Sequence, residues 1–585
     1  MTKRKKPGVR IFDGIWQADF SQKKRIFTGG GRFLGAGYDF LDKVSQNRIR
    51  VFELLIISVV IVFLVRLFLL SVVHGGENLE LAENNRIRLV FEEPMRGRIM
   101  SADGEVLAQS VTKYFLEKDG LRHEITEEQV KELEKAGLAG EDFVGELGGV
   151  DREIVRNYPS GEMSSHITGY TSLVQKEDIA KNAKLKGNDF VGRLGIEEAY
   201  DELLRGEAGK KIVEVDSKGK TISILGQTTG TGGADILLSI DSALQKKAYE
   251  VLASHLAKLN LGVGALVITE PFSGQILALV SMPSYDPADV GKSVASERKP
   301  LFNRVISGTY PPGSVFKISS ALAGLESGKI NRETEIEDVG EFELGGLKFG
   351  NWFYLTYGSR DGVLKIDRAI ARSNDIFFYK LGEKVGLADL RSQALRLGFS
   401  QKTGIDLPGE AYGLVGDEVW KRANLGDNWF LGDTMHMAIG QGYVLTTPIQ
   451  INRVTDFMAN GGKLVRPYLV TRVKPQSGKE LDVQPSIADG IVGHENLQIV
   501  RDGMRQACEK SGTAWPFFDA KYKVGCKTGT AEKTQGDPHA WFTAFAPYDN
   551  PKIAITVIIE NGGEGSSVAA PVAREILDWY FARKQ

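Results

Sequence analysis

The chain has 585 residues, 42% hydrophobic and 25% charged, ordinary proportions for a folded protein but too long for a single core, with room for about three or four units at roughly 150 residues each. Its formal net charge of −2 conceals an asymmetry, because residues 1–50 carry twelve Lys/Arg against four Asp. A basic head on a mildly acidic body excludes a nucleic-acid binder of the usual kind.

Residues 1–50 read as a basic cytoplasmic tail, with Lys3–Lys6, Lys23–Arg25, Arg48 and Arg50. The glycine cluster Gly29–Gly37 resembles a phosphate loop only loosely, since no strand precedes it, and reads as a flexible segment. From Leu54 to Val73, seventeen of twenty residues are Leu, Ile, Val or Phe, and at about 1.5 Å per residue they cross the roughly 30 Å hydrocarbon core, predicting a membrane helix within 51–74. Arg66 costs about 3 kcal/mol there, against a gain of roughly 5 to 10 kcal/mol from the apolar residues, so insertion wins. The stretch is too long for a cleaved signal, and Ser71-Val72-Val73-His74-Gly75 offers no small-x-small cleavage site. The basic side stays inside, which puts the chain from about residue 75 outside the cytoplasm.

Residues 75–235 are polar, with acidic helix-like segments such as Glu127–Lys135, and with Asp103-Gly104 as a turn between two strands. No cluster of catalytic side chains stands out, so this region reads as a docking or structural module, and Gly226–Gly233 as a hinge into the next unit. Beyond it, 236–585 forms the second large unit. Residues 241–258 have helical periodicity, Gly264–Ser281 reads as two buried strands, Tyr522–Cys526, Trp541–Ala546 and Ile553–Ile559 are strand-like, and Ala569–Phe581 is an amphipathic helix. Strands from both ends with helices between them predict an α+β unit around one antiparallel sheet closed by its termini.

The chemistry concentrates at Tyr310-Pro311-Pro312-Gly313-Ser314-Val315-Phe316-Lys317. On a helix, positions i and i+3 share a face, so Lys317 can reach the Ser314 hydroxyl. Pro312 and Gly313 supply a turn that puts Ser314 at a helix N-terminus, where free N–H groups favour negative charge. Ser-x-x-Lys alone is cheap, and recurs at Ser21/Lys24, Ser110/Lys113, Ser217/Lys220 and Ser296/Lys299. Two further elements distinguish this copy: Ser373-Asn374-Asp375, on an expected helix 59 residues on, and Lys527-Thr528-Gly529-Thr530, at the end of a strand-like run. Lys402-Thr403-Gly404 is a decoy, too close behind Asp375 and with no strand leading into it. Cys508 and Cys526, the only cysteines, imply no disulfide framework; they either pair or stay as buried thiols. The seven histidines show no zinc-ligand spacing, and neither metal nor cofactor is expected.

With these three elements in order the chain resembles the penicillin-binding, serine-active transpeptidases. The neighbouring text strengthens the match: Asn303-Arg304, Thr403–Glu410, Gly432-Asp433-Thr434 and Ile439–Gly442, with Arg96–Ile99 and Gly195-Ile196-Glu197 typical of the pedestal in class B members. His539–Phe542, Ala546-Pro547, Glu560–Gly562 and Ala569–Pro571 look most like the cell-elongation branch. The resemblance implies a membrane anchor, a pedestal and a β-lactamase-like transpeptidase unit that crosslinks peptidoglycan stem peptides and is acylated by β-lactams. It implies Ser314 as nucleophile, Lys317 as its base, Ser373 as proton relay, and Lys527, Thr528, Gly529 and Thr530 as the substrate-carboxylate site. The oxyanion hole falls to the backbone N–H groups of Ser314 and Thr530. Burial and the cation of Lys527 are expected to lower the Lys317 pKa. Asp375 stands where this family more often has Asn, and an ionised carboxylate beside Lys317 would oppose the base role unless it is protonated or points to substrate. The segment between Ser314 and Ser373 has no His or Cys, so it does not support a metal site of the kind some elongation members carry.

Partners implied are a SEDS-type membrane glycosyltransferase, with Arg66 as a contact, and elongation-complex proteins. Alternatives are a division-type class B enzyme, a scaffold activating the glycosyltransferase, a β-lactamase and a β-lactam sensor. The last two fit poorly with an uncleaved anchor, a long pedestal and a single membrane helix.

Overall fold

The computed structural model describes residues 46–118, 121–136, 147–183, 185–216, 221–488, 491–533 and 535–583. The basic clusters before Arg48, and Gly29–Gly37, lie outside them. Contacts divide the chain into two units, Met1–Arg86 and Ile87–Gln585. In the first, α1 (Gln46–Phe68) runs through a π-helical turn, Leu69–Val73, and is followed by α2 (Gly75–Arg86). Ile49–Val73 is long and apolar enough to cross a membrane and is wholly exposed within the chain. It starts five residues before Leu54, because Ile49, Val51 and Phe52 extend the apolar surface past Arg50 and Glu53.

The second unit opens with β1 (Ile87–Glu92), β2 (Ile99–Met100), β3 (Val106–Lys118), β4 (Leu121–Ile125) and β5 (Leu147–Asn157), then β6 (Gly209–Val215), β7 (Thr221–Thr228) and β8 (Asp235–Leu238). β2 and β3 flank the expected Asp103-Gly104 turn, and Glu127–Lys135 is the helix read from sequence. Beyond these come α3 (Ser242–Lys258), β9 (Gly264–Thr269), β10 (Ile276–Met282), α4 (Lys317–Glu326), α5 (Ile366–Arg372), α6 (Asp375–Arg396) and α7 (Pro448–Ala459). The chain ends with β11 (Val470–Lys474), β12 (Leu481–Asp482), α8 (His494–Ala507), β13 (Gly525–Ala531), β14 (His539–Ala546), β15 (Ile553–Ile559) and α9 (Gly565–Arg583).

Two sheets organise this unit. In the first, β8 lies parallel to β2 and antiparallel to β11, so a strand from residues 470–474 completes a sheet built mainly from residues 99–157. The Arg96–Ile99 motif sits at this seam. Arg96 and Arg156 share the fully buried Glu197, at 2.6 and 2.7 Å, and Arg98 clasps Asp235 at 3.0 and 2.6 Å. Gly97 is required there, because a Cβ would stand 1.9 Å from the Ala234 carbonyl oxygen. The same close approach accounts for two of the glycines read as a hinge, Gly230 and Gly233. Gly226 is inside β7, and a Cβ on Gly233 would stand 1.7 Å from the Leu204 carbonyl oxygen. A Cβ on Gly230 would stand 2.4 Å from the Gly209 nitrogen.

The second sheet has the order β10-β9-β15-β14-β13, antiparallel throughout. Its strands are apolar on both faces because both are covered. Leu266, Ile268, Phe542 and Val557 meet α3 and α9. Ala265, Val267, Trp541 and Ile558 meet the cluster holding α4, α6 and α7. Each fully buried large apolar side chain contributes roughly 1.5 to 3 kcal/mol. This is the terminus-closed antiparallel sheet expected from the sequence, with chain-end strands at its centre.

Two local expectations are corrected and one open alternative is settled. β13 begins at Gly525 and runs to Ala531, so Lys527–Thr530 lie inside the strand and Tyr522–Val524 precede it. Only Asp375 of Ser373-Asn374-Asp375 is on the expected helix, as the first residue of α6: Ser373 ends α5 at φ +54°, and the Asn374 side chain caps α6 by accepting the Phe377 N–H. Cys508 and Cys526, left open by the sequence, form a disulfide with Cα atoms 6.0 Å apart.

Candidate active site

Ser314 lies in a 3-10 turn, Gly313–Phe316, that feeds directly into α4. Gly313 is at φ +54°, and a Cβ there would come within 2.5 Å of the Thr530 carbonyl oxygen. Only glycine lets the serine turn lie this close to β13. The turn is held from behind: the Gly313 N–H donates to the Gly440 carbonyl at 2.9 Å, and Tyr310 exchanges two backbone bonds with Thr446. Trp541 Nε1 donates to the Pro311 carbonyl at 3.0 Å. The Tyr310 ring packs edge-on to His539 and Trp541, and its hydroxyl donates to Glu560, which also accepts from Arg304. The scattered sequence signals Asn303-Arg304, Ile439–Gly442, His539–Phe542 and Glu560–Gly562 therefore converge on one turn.

Lys317 and Lys527 are both fully buried. Lys527 Nζ donates to Ser373 Oγ at 2.8 Å and to the Thr528 carbonyl at 2.8 Å. Lys317 Nζ reaches the same hydroxyl at 3.4 Å, the Ser373 carbonyl at 2.7 Å and Asp375 Oδ1 at 2.7 Å. The structure thus brings Ser314, Lys317, Ser373, Asp375 and Lys527–Thr530 together. Among the described residues, the Lys317 amine bonds to Ser373 and Asp375 rather than to Ser314 Oγ. Asp375 points inward to Lys317, and its other oxygen accepts the Trp352 N–H at 3.1 Å.

Electrostatics follow from this geometry. Burial pushes the Lys317 pKa below the ordinary lysine value, and Asp375 opposes that shift. Lys527 is pushed well below it, first by burial and then by the cation of Lys317. The expectation that the Lys527 cation lowers the Lys317 pKa is corrected: Lys317 is lowered by burial, and the repulsion between the lysines bears on Lys527. Two desolvated amines joined through one hydroxyl, beside a serine on a helix N-terminal turn, can take and return a proton during acyl transfer.

The decoy is structural. Thr403 and Gly404 donate their N–H groups to Glu410, and Asp406 accepts from Leu469 and Val470 at the start of β11. Sequence reasoning missed Asp338 and Asp361, which accept from Asn374, Asn351, which bonds Asp338 and Asp375, and Thr513, whose hydroxyl lies 2.9 Å from that of Thr528. No periodicity or short motif connects them to the site. Among the described residues no cluster of three or more His, Cys, Asp or Glu could hold a metal.

Known proteins share this fold. Residues 264–578 match the family described as the penicillin binding protein transpeptidase domain, and residues 121–238 the penicillin-binding protein dimerisation domain. The chain is 30% identical to the peptidoglycan D,D-transpeptidase MrdA of Haemophilus influenzae, over 89% of this chain and 90% of that one. The complex of penicillin-binding protein PBP2 with MreC from Helicobacter pylori superposes with a TM-score of 0.71 at 28% identity, covering 85% of this chain and all of that one. A structure described as the structural coordination of polymerization and crosslinking by a peptidoglycan synthase complex gives 0.74 at 27% identity, covering 91% and 98%. Fold and site define a serine-type acyl-transfer enzyme with an appended non-catalytic module. The chain belongs to the penicillin-binding peptidoglycan D,D-transpeptidases.

Proposed function

We propose that Ser314 is the nucleophile of a transpeptidase that crosslinks peptidoglycan stem peptides during cell-wall elongation. Lys317 takes the Ser314 proton as the Oγ attacks the carbonyl of a D-Ala-D-Ala bond. The C–N bond breaks, and the proton passes through Ser373 to the leaving D-Ala amine. An amine from a neighbouring stem then attacks the acyl carbon, the ester bond to Oγ breaks, and Ser314 recovers its proton. Lys527, Thr528, Gly529 and Thr530 bind the substrate carboxylate, and the Ser314 and Thr530 N–H groups stabilise the oxyanion. The observation that carries this reading is Ser373 Oγ held between two buried lysine amines, at 2.8 and 3.4 Å, beside the Ser314 turn.

The elongation role is supported by the MrdA relative and by the packing of His539, Trp541 and Glu560, elongation-type residues, around Tyr310. The organisation that goes with it is a cytoplasmic tail over 1–50, a span over 51–74, a pedestal over 75–235 and a transpeptidase unit over 236–585 outside the cytoplasm. A SEDS-type glycosyltransferase and elongation-complex proteins are the partners. Relatives described in a peptidoglycan synthase complex and with MreC support that assignment.

Labelling the purified chain with fluorescent penicillin, and mapping the adduct by mass spectrometry, tests the assignment. Label on Ser314, abolished in Ser314→Ala, is expected; an adduct on another residue, or none, overturns it.

A further inference from the structure

Between Ser314 and Ser373 the chain folds into an insert. Ile336–Asp338 pairs antiparallel with Gly362–Leu364, Glu341–Leu344 pairs with Leu347–Gly350, and a short helix spans Trp352–Tyr357. Asp338 ends the first strand and is only 2% exposed. Its Oδ1 accepts the Gly340 N–H at 2.8 Å. Its Oδ2 accepts from Asn351 Nδ2, the Asp361 N–H and Asn374 Nδ2, each at 2.9 Å. Asn374 also donates to Asp361 Oδ2 at 3.1 Å. From Asn351 the connection continues inward: its Oδ1 accepts the Asp375 N–H at 3.1 Å, and the next residue, Trp352, donates its N–H to Asp375 Oδ2. Asp375 Oδ1 is left facing Lys317 at 2.7 Å.

We infer that Asp338 is a positioning residue for the transfer reaction, fixing through Asn351 and Asn374 both the Ser373–Asp375 turn and the direction of the Asp375 carboxylate against Lys317. The inference rests on the roles proposed above for Lys317 and Ser373. An ionised carboxylate is acceptor-only, and here its two oxygens meet four N–H groups, so an amide in its place would turn a donor toward donors. Ser373 sits in the left-handed region, which a non-glycine residue keeps only where its surroundings over-determine it. The two carboxylates gripping Asn374 provide that restraint. The groups around Asp375 are Lys317, Lys527 across Ser373, Arg372 paired with Asp361 at 2.7 Å, the carboxylates of Asp338 and Asp361, and the Tyr379 phenol. Without Asp338 the Asp375 carboxylate is free to turn from Lys317, which then loses the neighbour that stabilises its proton.

The test measures acylation rate by fluorescent penicillin against pH on the full-length chain, for wild type, Asp338→Asn and Asn351→Ala, each also in an Asp375→Asn background. Both single variants are expected to be slowed about tenfold to a hundredfold, with the ascending limb moved to lower pH. In the Asp375→Asn background neither moves the limb further, because the group through which they act has been neutralised. An unmoved limb in the single variants that fold, or the same shift with Asp375→Asn present, overturns the inference. Asn351→Ala removes only one link, so the question stays decidable if Asp338→Asn fails to fold. A wild-type chain unlabelled at Ser314 would count instead against the assignment of the nucleophile.

Discussion

At the residue scale, a carboxylate, Asp375, lies beside the buried amine of Lys317. Asp375 forms a direct ion pair with Lys317, and burial, then the Lys317 cation, pushes the Lys527 pKa down. Ser373 Oγ thus lies between two buried amines, those of Lys317 and Lys527. A second buried acid has a different consequence. Asp456, on α7, accepts from Thr269 Oγ1 at 2.6 Å on the interior strand β9, and burial pushes its pKa up to about 8. The folded chain holds that proton where the unfolded chain releases it. The stabilising contribution is therefore full below about pH 4 and is lost as pH rises toward 8, by at most roughly 1.4 kcal/mol for each tenfold fall in proton concentration. The melting temperature is expected to fall between pH 5 and pH 9 in wild type and to fall less in Asp456→Asn; equal slopes would refute the assignment.

Among elements, the disulfide joins the end of α8 to the second residue of β13, directly before Lys527. Within the closed segment, Ser511 accepts from Arg368 and Arg372 through its carbonyl, and the Thr513 hydroxyl meets that of Thr528. The bond thus tethers a loop that touches α5, just before Ser373, and Thr528 of the strand motif. A loop of this size is worth about 3 kcal/mol by the chain-entropy model. Reductant should lower the melting temperature of wild type and slow its acylation, and should leave Cys508→Ser/Cys526→Ser unchanged. A double variant as stable and as fast as oxidised wild type would show that the tether contributes nothing.

For the whole molecule, the sheet that carries the pedestal includes β11 from the catalytic half, and β8 is flanked by β2 and β11. The contacts divide the chain only at Arg86 and Ile87, so residues 87–585 form one packed unit. The α1 helix carries Arg66 in its last turn, a charge that inserts at a cost of about 3 kcal/mol and is usually kept where a partner or the headgroups satisfy it. Co-purification of a SEDS-type glycosyltransferase from membranes should weaken in Arg66→Leu. Unchanged pairing would remove this residue from the interface.

What the sequence determined by itself was whatever is written locally: the membrane span, set by a run of apolar residues; the terminus-closed sheet, set by short β-rich segments; and the Ser314, Ser373 and Lys527 motifs, legible from order and spacing. Tertiary structure alone decided which groups meet those motifs. Asp338 reaches Asn374 across 36 residues and Thr513 reaches Thr528 across a disulfide-closed loop, and side-chain hydrogen bonds of that kind leave no periodicity in the chain. The same holds for the charge on Lys317, which depends on burial and on the direction of one carboxylate, quantities that exist only once the helices and strands have packed.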